Sequence, residues 1–433
     1  MLAAITNMIQ QPEQHSTPLG VAGEVQDFYE RYPYPRPVDS LEKYRQLWQD
    51  DQRRRADYHL FWPAGPYRED RSILVAGCGT SQAAKHAMRW PEAQVTGIDF
   101  SATSVRCTEE LKRKYGLHNL QVHQIPVEHV CELDAVFDRI VCTGVLHHLA
   151  DPEAGLRALR DVLEPDGALN LMVYAPYGRA GIYMMQEFCR RAGIQATDGG
   201  IRDLIGVLGA LSSGHPLASL LREAPDFRQE AALADALLHP RDRAYSVPQL
   251  FDLIERAGLT FGRWVRQAPY CSRCGAPASI PLASRMVQLP LAGQYAAIEL
   301  FRGTMVRHSM IAYRNDGPEP HPVSFAGDAW LGYVPIRVSG TVCVEKRLPP
   351  GSAAVLINPN HTFHDLVMAI DSAEKCWLEA IDGTRPVSEI IARTAHASHS
   401  GSELERAHAF FERLWWYDQV VFDVAMREAV KPT

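Results

Sequence analysis

RSILVAGCGTSQAAKHAMRWPEAQVTGID, residues 71–99, is the stretch on which the fold turns. The apolar run Ile73-Leu74-Val75-Ala76 passes directly into Gly77-Cys78-Gly79-Thr80-Ser81. A helix-competent segment follows, and a second apolar run, Gln94 to Ile98, ends in Asp99. Strand, glycine turn, helix and strand in that order make half of a parallel α/β sheet. A glycine turn at a strand end lets backbone approach a ligand, and a carboxylate about 20 positions later can accept both hydroxyls of a ribose. The stretch reads as a nucleoside pocket.

A Gly-x-Gly turn alone is shared by proteins that bind NAD, FAD and S-adenosylmethionine, so the rest of the chain has to discriminate. FDRIVCTGVLHHLADP (137–152) reads as a fourth strand, a loop and a helix start. LRDVLEPDGALNLMVY (159–174) reads as a helix, a Pro-Asp-Gly turn and a fifth strand, and YSVPQLFDLIERAGLTFGRW (245–264) as a late helix and sixth strand. In this order the segments resemble the class I S-adenosylmethionine-dependent methyltransferases. The resemblance implies an α/β fold, a seven-stranded Rossmann-like sheet, and S-adenosyl-L-methionine as cofactor. A dinucleotide enzyme would favour a third glycine where Gln82 stands. Two positions depart from the family pattern: Val75 replaces the acidic residue common two places before the first glycine, and Ser81 replaces the last glycine of the loop.

The resemblance assigns cofactor contacts to the loop Gly77, Cys78, Gly79 and Thr80, the ribose clamp to Asp99, and a flank of the adenine to Phe100. Gln124 would meet the adenine edge, and Thr143 and Gly144 the methionine moiety. His147 and His148, at the exit of the fourth strand, and Tyr177, after the fifth, are candidates for a general base, which is needed only if the acceptor loses a proton as it is attacked. A structural role for the His pair, capping the following helix, is the competing reading. Tyr29, Tyr34 and Tyr174 are candidate substrate contacts. The expected reaction is methyl transfer to an oxygen or nitrogen of a small molecule or of a peptide-borne group. Because of Val75 and Ser81, a non-catalytic protein that binds S-adenosylmethionine is the alternative.

With 433 residues, 46% hydrophobic and 22% charged, the chain has the composition of a large globular protein of two or three domains. A net charge of −7 and a pI near 6.2 argue against a general affinity for nucleic acid, which needs basic surface. There is no uninterrupted apolar run of about 18 residues and no signal-peptide pattern at the start, so a cytoplasmic protein is expected. Nine singly scattered cysteines fit a reducing compartment. The pair Cys271-x-x-Cys274 would be half of a zinc site, but no second pair accompanies it. It reads as an inert surface loop, and no metal ligands are assigned.

Five segments follow. Residues 1–24 are expected to be a flexible tail. Residues 25–70 form an arm in which Pro33, Pro35 and Pro37 hold the chain extended and display tyrosines, ahead of a helix over 41–60. This arm is either a lid over the cofactor or simple packing. The methyltransferase unit spans 71–315, with a helical cap inserted at about 178–245 over the carboxyl ends of the strands, where open α/β sheets bind ligands. A Pro-rich linker (315–322) leads to a small α+β winged-helix-like domain, 323–428, with a helix expected over 366–381. Around AIDGTRPVSEI this domain resembles the peptide-binding chaperone of pyrroloquinoline-quinone biosynthesis. That implies a peptide partner, engaged through a sheet edge and the aromatic cluster Trp415-Trp416-Tyr417. A DNA-reading winged helix is disfavoured by the acidic, apolar last helix.

Overall fold

The computed structural model describes residues 18–318, 322–394 and 401–425. The expected tail lies mostly outside these residues, but its last part is helical: α1 spans Pro18–Arg31. The expected helix over 41–60 is broken in two, a short turn Glu42–Leu47 and then α2, Asp51–Phe61. The break has a local cause. The Asp50 carboxylate accepts the backbone N–H groups of Gln52 and Arg53, so a new helix is capped where the old one was expected to continue.

Seven strands make the sheet: β1 Ser72–Ala76, β2 Gln94–Asp99, β3 Leu120–Gln124, β4 Phe137–Thr143, β5 Leu163–Tyr174, β6 Leu259–Trp264 and β7 Arg307–Arg314. Their order is β3-β2-β1-β4-β5-β7-β6, with β7 antiparallel to both of its neighbours; the expected seven strands are present. Strand order reverses between β1 and β4, and at such a switch point the loops at the carboxyl ends diverge and leave a crevice. The helices α3 Gln82–Arg89, α4 Ala102–Tyr115 and α5 Pro152–Asp161 cover the sheet. Ser101 caps α4 by accepting the Ser104 N–H at 3.2 Å. Asp151, not the preceding histidines, caps α5, accepting the Ala154 N–H at 2.9 Å ahead of Pro152.

The cap is built from α6 Ala180–Ala192, α7 Asp198–Gly209, α8 Pro216–Glu223 and α9 Glu230–Leu238, around a small core of its own that includes Ile182, Met185, Leu204 and Leu237. The chain returns through α10 Val247–Arg256 and, beyond β6, α11 Leu291–Arg302.

The C-terminal domain pairs β8 Val334–Arg337 with β12 Val420–Asp423, and β9 Val342–Val344 with β10 Ala354–Ile357 and β11 Val367–Ile370. Three helices, α12 Ser372–Glu379, α13 Val387–Thr394 and α14 Gly401–Trp416, complete it. The helix expected from 366 is therefore a strand up to Ile370. Asp371 then starts α12 with a capping box to Glu374, so the helix cannot begin earlier.

This domain is not an appendage. Ala56 of α2 belongs to its core, the Val424 N–H donates to Pro63 O at 2.8 Å, and Gln52 reaches Asp382 O at 2.8 Å. On the other face of α2, Asp57 takes Arg139 at 2.8 Å and Arg89 at 3.3 Å. Across the second contact, Asp418 accepts the backbone N–H groups of Gln267 and Ala268 and faces Arg263 and His361. Cys271 and Cys274 pack in the same interface against Leu366, Trp416 and Tyr417, at 6% and 0% exposure. The expected surface loop is thus buried. Trp415 is buried too, and the Tyr417 hydroxyl accepts the Gly275 N–H at 3.1 Å, so the aromatic cluster is spent on packing rather than displayed to a partner.

Candidate functional site

The turn after β1 places Gly77 at φ +65° and Gly79 at φ +54°, a backbone region that side chains disfavour. At Gly77 the fit is also steric: a Cβ there would lie 2.2 Å from Val145 Cγ2 of the β4 exit loop. The turn is tied to the end of β2 by Asp99. One carboxylate oxygen accepts the Gly79 N–H at 2.8 Å, and the other accepts the Ser101 N–H at 2.9 Å. Burial pushes the Asp99 carboxyl up to about 6, against the opposing pull of those backbone donors. It lies at the wall of the crevice with lone pairs to spare for two hydroxyls.

The crevice is one cavity of about 720 Å³, within the range of small-molecule and cofactor sites. One end is walled by Gly77, Gly79, Gln82, Asp99, Phe100 and the segment Ile125 to Glu128; the other runs under the cap between Ile182, Leu220, Phe227 and Ala236. Helix α1 roofs it. Glu30 accepts hydrogen bonds from Ser101 Oγ at 3.0 Å and Thr103 Oγ1 at 2.5 Å, Gln26 donates to Phe100 O, and Thr80 Oγ1 donates to Pro35 O at 2.8 Å.

Beneath the cap the floor is polar and crowded. The Tyr29 hydroxyl donates to Asp235 at 2.9 Å, and Arg179 pairs with Asp242 at 2.7 Å while its guanidinium lies 3.5 Å from the centre of the Tyr174 ring. Burial, reinforced by Asp235, holds the Tyr29 and Tyr174 hydroxyls well above their ordinary range, so both are neutral phenols. His148 lies 2.7 Å through Nδ1 from Arg241 O, which makes Nδ1 the protonated nitrogen and leaves Nε2 a lone pair. His147 is fully buried, held neutral by that burial, and packs on Tyr174 with ring centres 3.9 Å apart; neither of its nitrogens has a partner.

Of the residues expected from sequence, the cavity wall contains Tyr29, Tyr34, Gly77, Gly79, Asp99, Phe100, Thr143, Gly144, His148 and Tyr174. Cys78 is buried behind the turn, Thr80 is engaged with the arm, and Gln124 turns away to donate to Phe100 O at 3.2 Å. His147 and Tyr177 lie outside the wall. Sequence reasoning missed the cap residues Arg179, Asp235 and Arg241 and, on the sheet, Asn170 and Met172. Only one signal pointed to the first group, the placement of an insertion over the strand ends.

Residues 74–171 match the family described as Methyltransferase domain. An uncharacterised protein of Synechococcus is 36% identical over 198 residues, 44% of this chain and 47% of that one. The ubiquinone biosynthesis O-methyltransferase of Chromobacterium violaceum is 30% identical over 105 residues, 22% of this chain and 41% of the enzyme. The chain thus spans less than half the length of these curated relatives. PKMT2 from Rickettsia typhi shares the fold, with a TM-score of 0.61 at 15% identity over 87% of this chain and 76% of that one. No helix among the described residues is long and apolar enough to cross a membrane. Glycine turn, tethered carboxylate and strand order agree with the family match: residues 74–171 carry a methyltransferase domain within a Rossmann-like sheet.

Proposed function

We propose that the protein transfers the methyl group of S-adenosylmethionine to a small acceptor enclosed beneath the helical cap. The observation that carries this reading is the continuity of the cavity: the glycine turn and Asp99 stand at one end, and a chamber with apolar walls and a polar floor at the other. Asp99 would take the ribose hydroxyls, Phe100 would flank the adenine, and Thr143 and Gly144 would meet the methionine end. Methyl transfer is an in-line displacement: the acceptor's lone pair forms the new bond to the methyl carbon as the carbon–sulfur bond breaks, and S-adenosylhomocysteine leaves. The sulfonium supplies the electrophile, so the protein's contribution is to hold the acceptor in line and keep water out. Tyr29, Tyr34, Tyr174, His148 and Arg179, which line the cavity, would do the first, and α1 the second.

The relative from Chromobacterium acts on oxygen in ubiquinone biosynthesis, which favours an oxygen acceptor here. A peptide-borne acceptor guided by the C-terminal domain is the second reading. It rests on the open edge of the β9–β10–β11 sheet, where Val342 is 46% exposed. Incubating the full chain with methyl-labelled cofactor and size-fractionated cell extract tests both. Label in the small-molecule fraction supports the first reading and label in peptide the second. Tight cofactor binding without label in either fraction leaves the non-catalytic reading that Val75 and Ser81 suggest.

A further inference from the structure

Five potential ligands gather beside the chamber, two of them, His148 and Asp235, in its wall: His147, His148, His239, Asp235 and Asp242. They form two overlapping triads, each with its ligand atoms within 4.8 Å of one another: His147–His148–Asp242 and His148–Asp235–His239. Proton placement separates them. His239 Nδ1 accepts the Arg241 N–H at 3.0 Å, so its neutral ring carries the proton on Nε2 and has no lone pair left for an ion. Asp235 already accepts the Tyr29 hydroxyl.

In the other triad every donor atom is open. His147 has no partner at either ring nitrogen, although it is 0% exposed. Asp242 Oδ1 is buried without a partner, whereas Oδ2 is held by Arg179 at 2.7 Å and Gln186 at 2.9 Å. His148 engages Arg241 O through Nδ1, so in the neutral ring Nε2 is the nitrogen that keeps its lone pair. A buried imidazole and a buried carboxylate oxygen left without partners side by side are an arrangement that a bound cation would satisfy. The outer contacts of Asp242 and His148 are of the kind that orient metal ligands, a backbone carbonyl on the far imidazole nitrogen and donors on the far carboxylate oxygen.

We propose that His147, His148 and Asp242 bind one divalent transition-metal ion of the zinc, manganese or iron class. Two imidazoles and one carboxylate form a facial set that leaves other positions open, and nitrogen donors disfavour magnesium and calcium. The ligand atoms already lie within 4.8 Å of one another, and a tetrahedral ion with bonds of about 2.1 Å would draw them to roughly 3.4 Å. His148 lines the chamber, so the site adjoins it. Resting on the proposed methyl transfer, the ion's role follows. An acceptor O–H or N–H bound to it gives its proton to solvent, and the resulting lone pair attacks the methyl carbon as the carbon–sulfur bond breaks.

The test separates binding from catalysis. Chelator-stripped full-length protein is titrated with Zn²⁺ by calorimetry and with Co²⁺ by visible absorption, with S-adenosylhomocysteine binding measured in parallel as the control for folding. One ion per chain is expected, with affinity falling at least tenfold in His147→Phe and in Asp242→Asn while S-adenosylhomocysteine still binds. X-ray absorption of the zinc form should show two imidazole nitrogens at about 2.0 Å, and this reading needs no variant. Absence of saturable binding in wild-type protein that binds S-adenosylhomocysteine overturns the proposal. So does binding that both variants leave intact, or a zinc shell without imidazole. A metal that binds but leaves methyl transfer unchanged would refute the role in catalysis and leave the site standing.

Discussion

Replacing Asp99 with Asn keeps the volume of the side chain and removes its charge, which makes it the sharpest probe of the pocket. The carboxylate accepts the Gly79 and Ser101 N–H groups at 2.8 and 2.9 Å, one on each oxygen. An amide can satisfy only one of them, because its NH₂ would face a donor. It also offers one acceptor instead of two to the ribose diol. Charge-assisted bonds of this kind contribute about 1–3 kcal/mol, so the dissociation constant for S-adenosylhomocysteine should rise roughly 5- to 150-fold. The pH dependence is the stronger discriminator. Because burial raises the Asp99 carboxyl to about 6, the empty site is protonated below that pH and binding has to release the proton. Wild-type affinity should therefore fall as pH drops from 7 to 5, approaching tenfold per unit below 6, and should be flat in the variant. The sign is opposite for the empty fold: a raised carboxyl favours folding below its unfolded value near 3.8, and that contribution is lost as pH rises through about 6. Calorimetric titrations at pH 5, 6 and 7 on both proteins decide the matter. Equal affinities at pH 7, or a wild-type pH slope retained in Asp99→Asn, would refute the assignment of the ribose clamp.

Gly77→Ala should abolish cofactor binding or destabilise the domain outright, since the new Cβ would meet Val145 at 2.2 Å; thermal melts with and without S-adenosylhomocysteine tell the two apart. Deleting residues through Arg36 removes the contacts of Glu30 and Tyr29 and should weaken cofactor retention at least tenfold, read by dialysis of labelled cofactor, while circular dichroism shows the sheet intact. Asp57→Ala strands Arg139 and Arg89 in a buried site and should cost about 3–5 kcal/mol in urea unfolding. Burial pushes the Asp57 carboxyl upward, but Arg139 and Arg89 overcome this and bring it down to about 2, so its share of stability is present above pH 4 and lost as pH falls toward 2. Ending the chain near Pro318 should lower the melting temperature, because α2 and the Cys271 loop would lose their cover.

The sheet was legible because its signals are local. Apolar runs of strand length, glycines at their ends, and a carboxylate at fixed spacing are all read within about 30 residues. Asp99, Gly77 and Gly79, which line the cavity, could be singled out for that reason. The chamber floor was not legible, because Asp242 and His147 lie 95 positions apart in sequence and meet only when the cap folds back over β5. Gln124 illustrates a subtler failure. Its position at the end of β3 is as expected, but its amide is taken by a neighbouring carbonyl, and no spacing rule reports such a competing partner. The paired tryptophans of α14 looked like a recognition surface because sequence shows hydrophobicity without showing which neighbour consumes it.

Helix α2 sets a schedule for how the molecule must assemble. Gln52 bonds Asp382 across 330 positions and the carbonyl of Phe61 is reached by Tyr313 across 252, so an early segment of the chain cannot settle until a very late one exists. Chain is made at about 5–20 residues per second, which leaves α2, with its buried Ala56 and Tyr58 faces, without its final partners for tens of seconds during synthesis. Contacts of such high sequence separation also slow refolding. Recovery from denaturant should accordingly show early formation of the parallel strands and a late, aggregation-sensitive step in which α2 is clasped between the two domains.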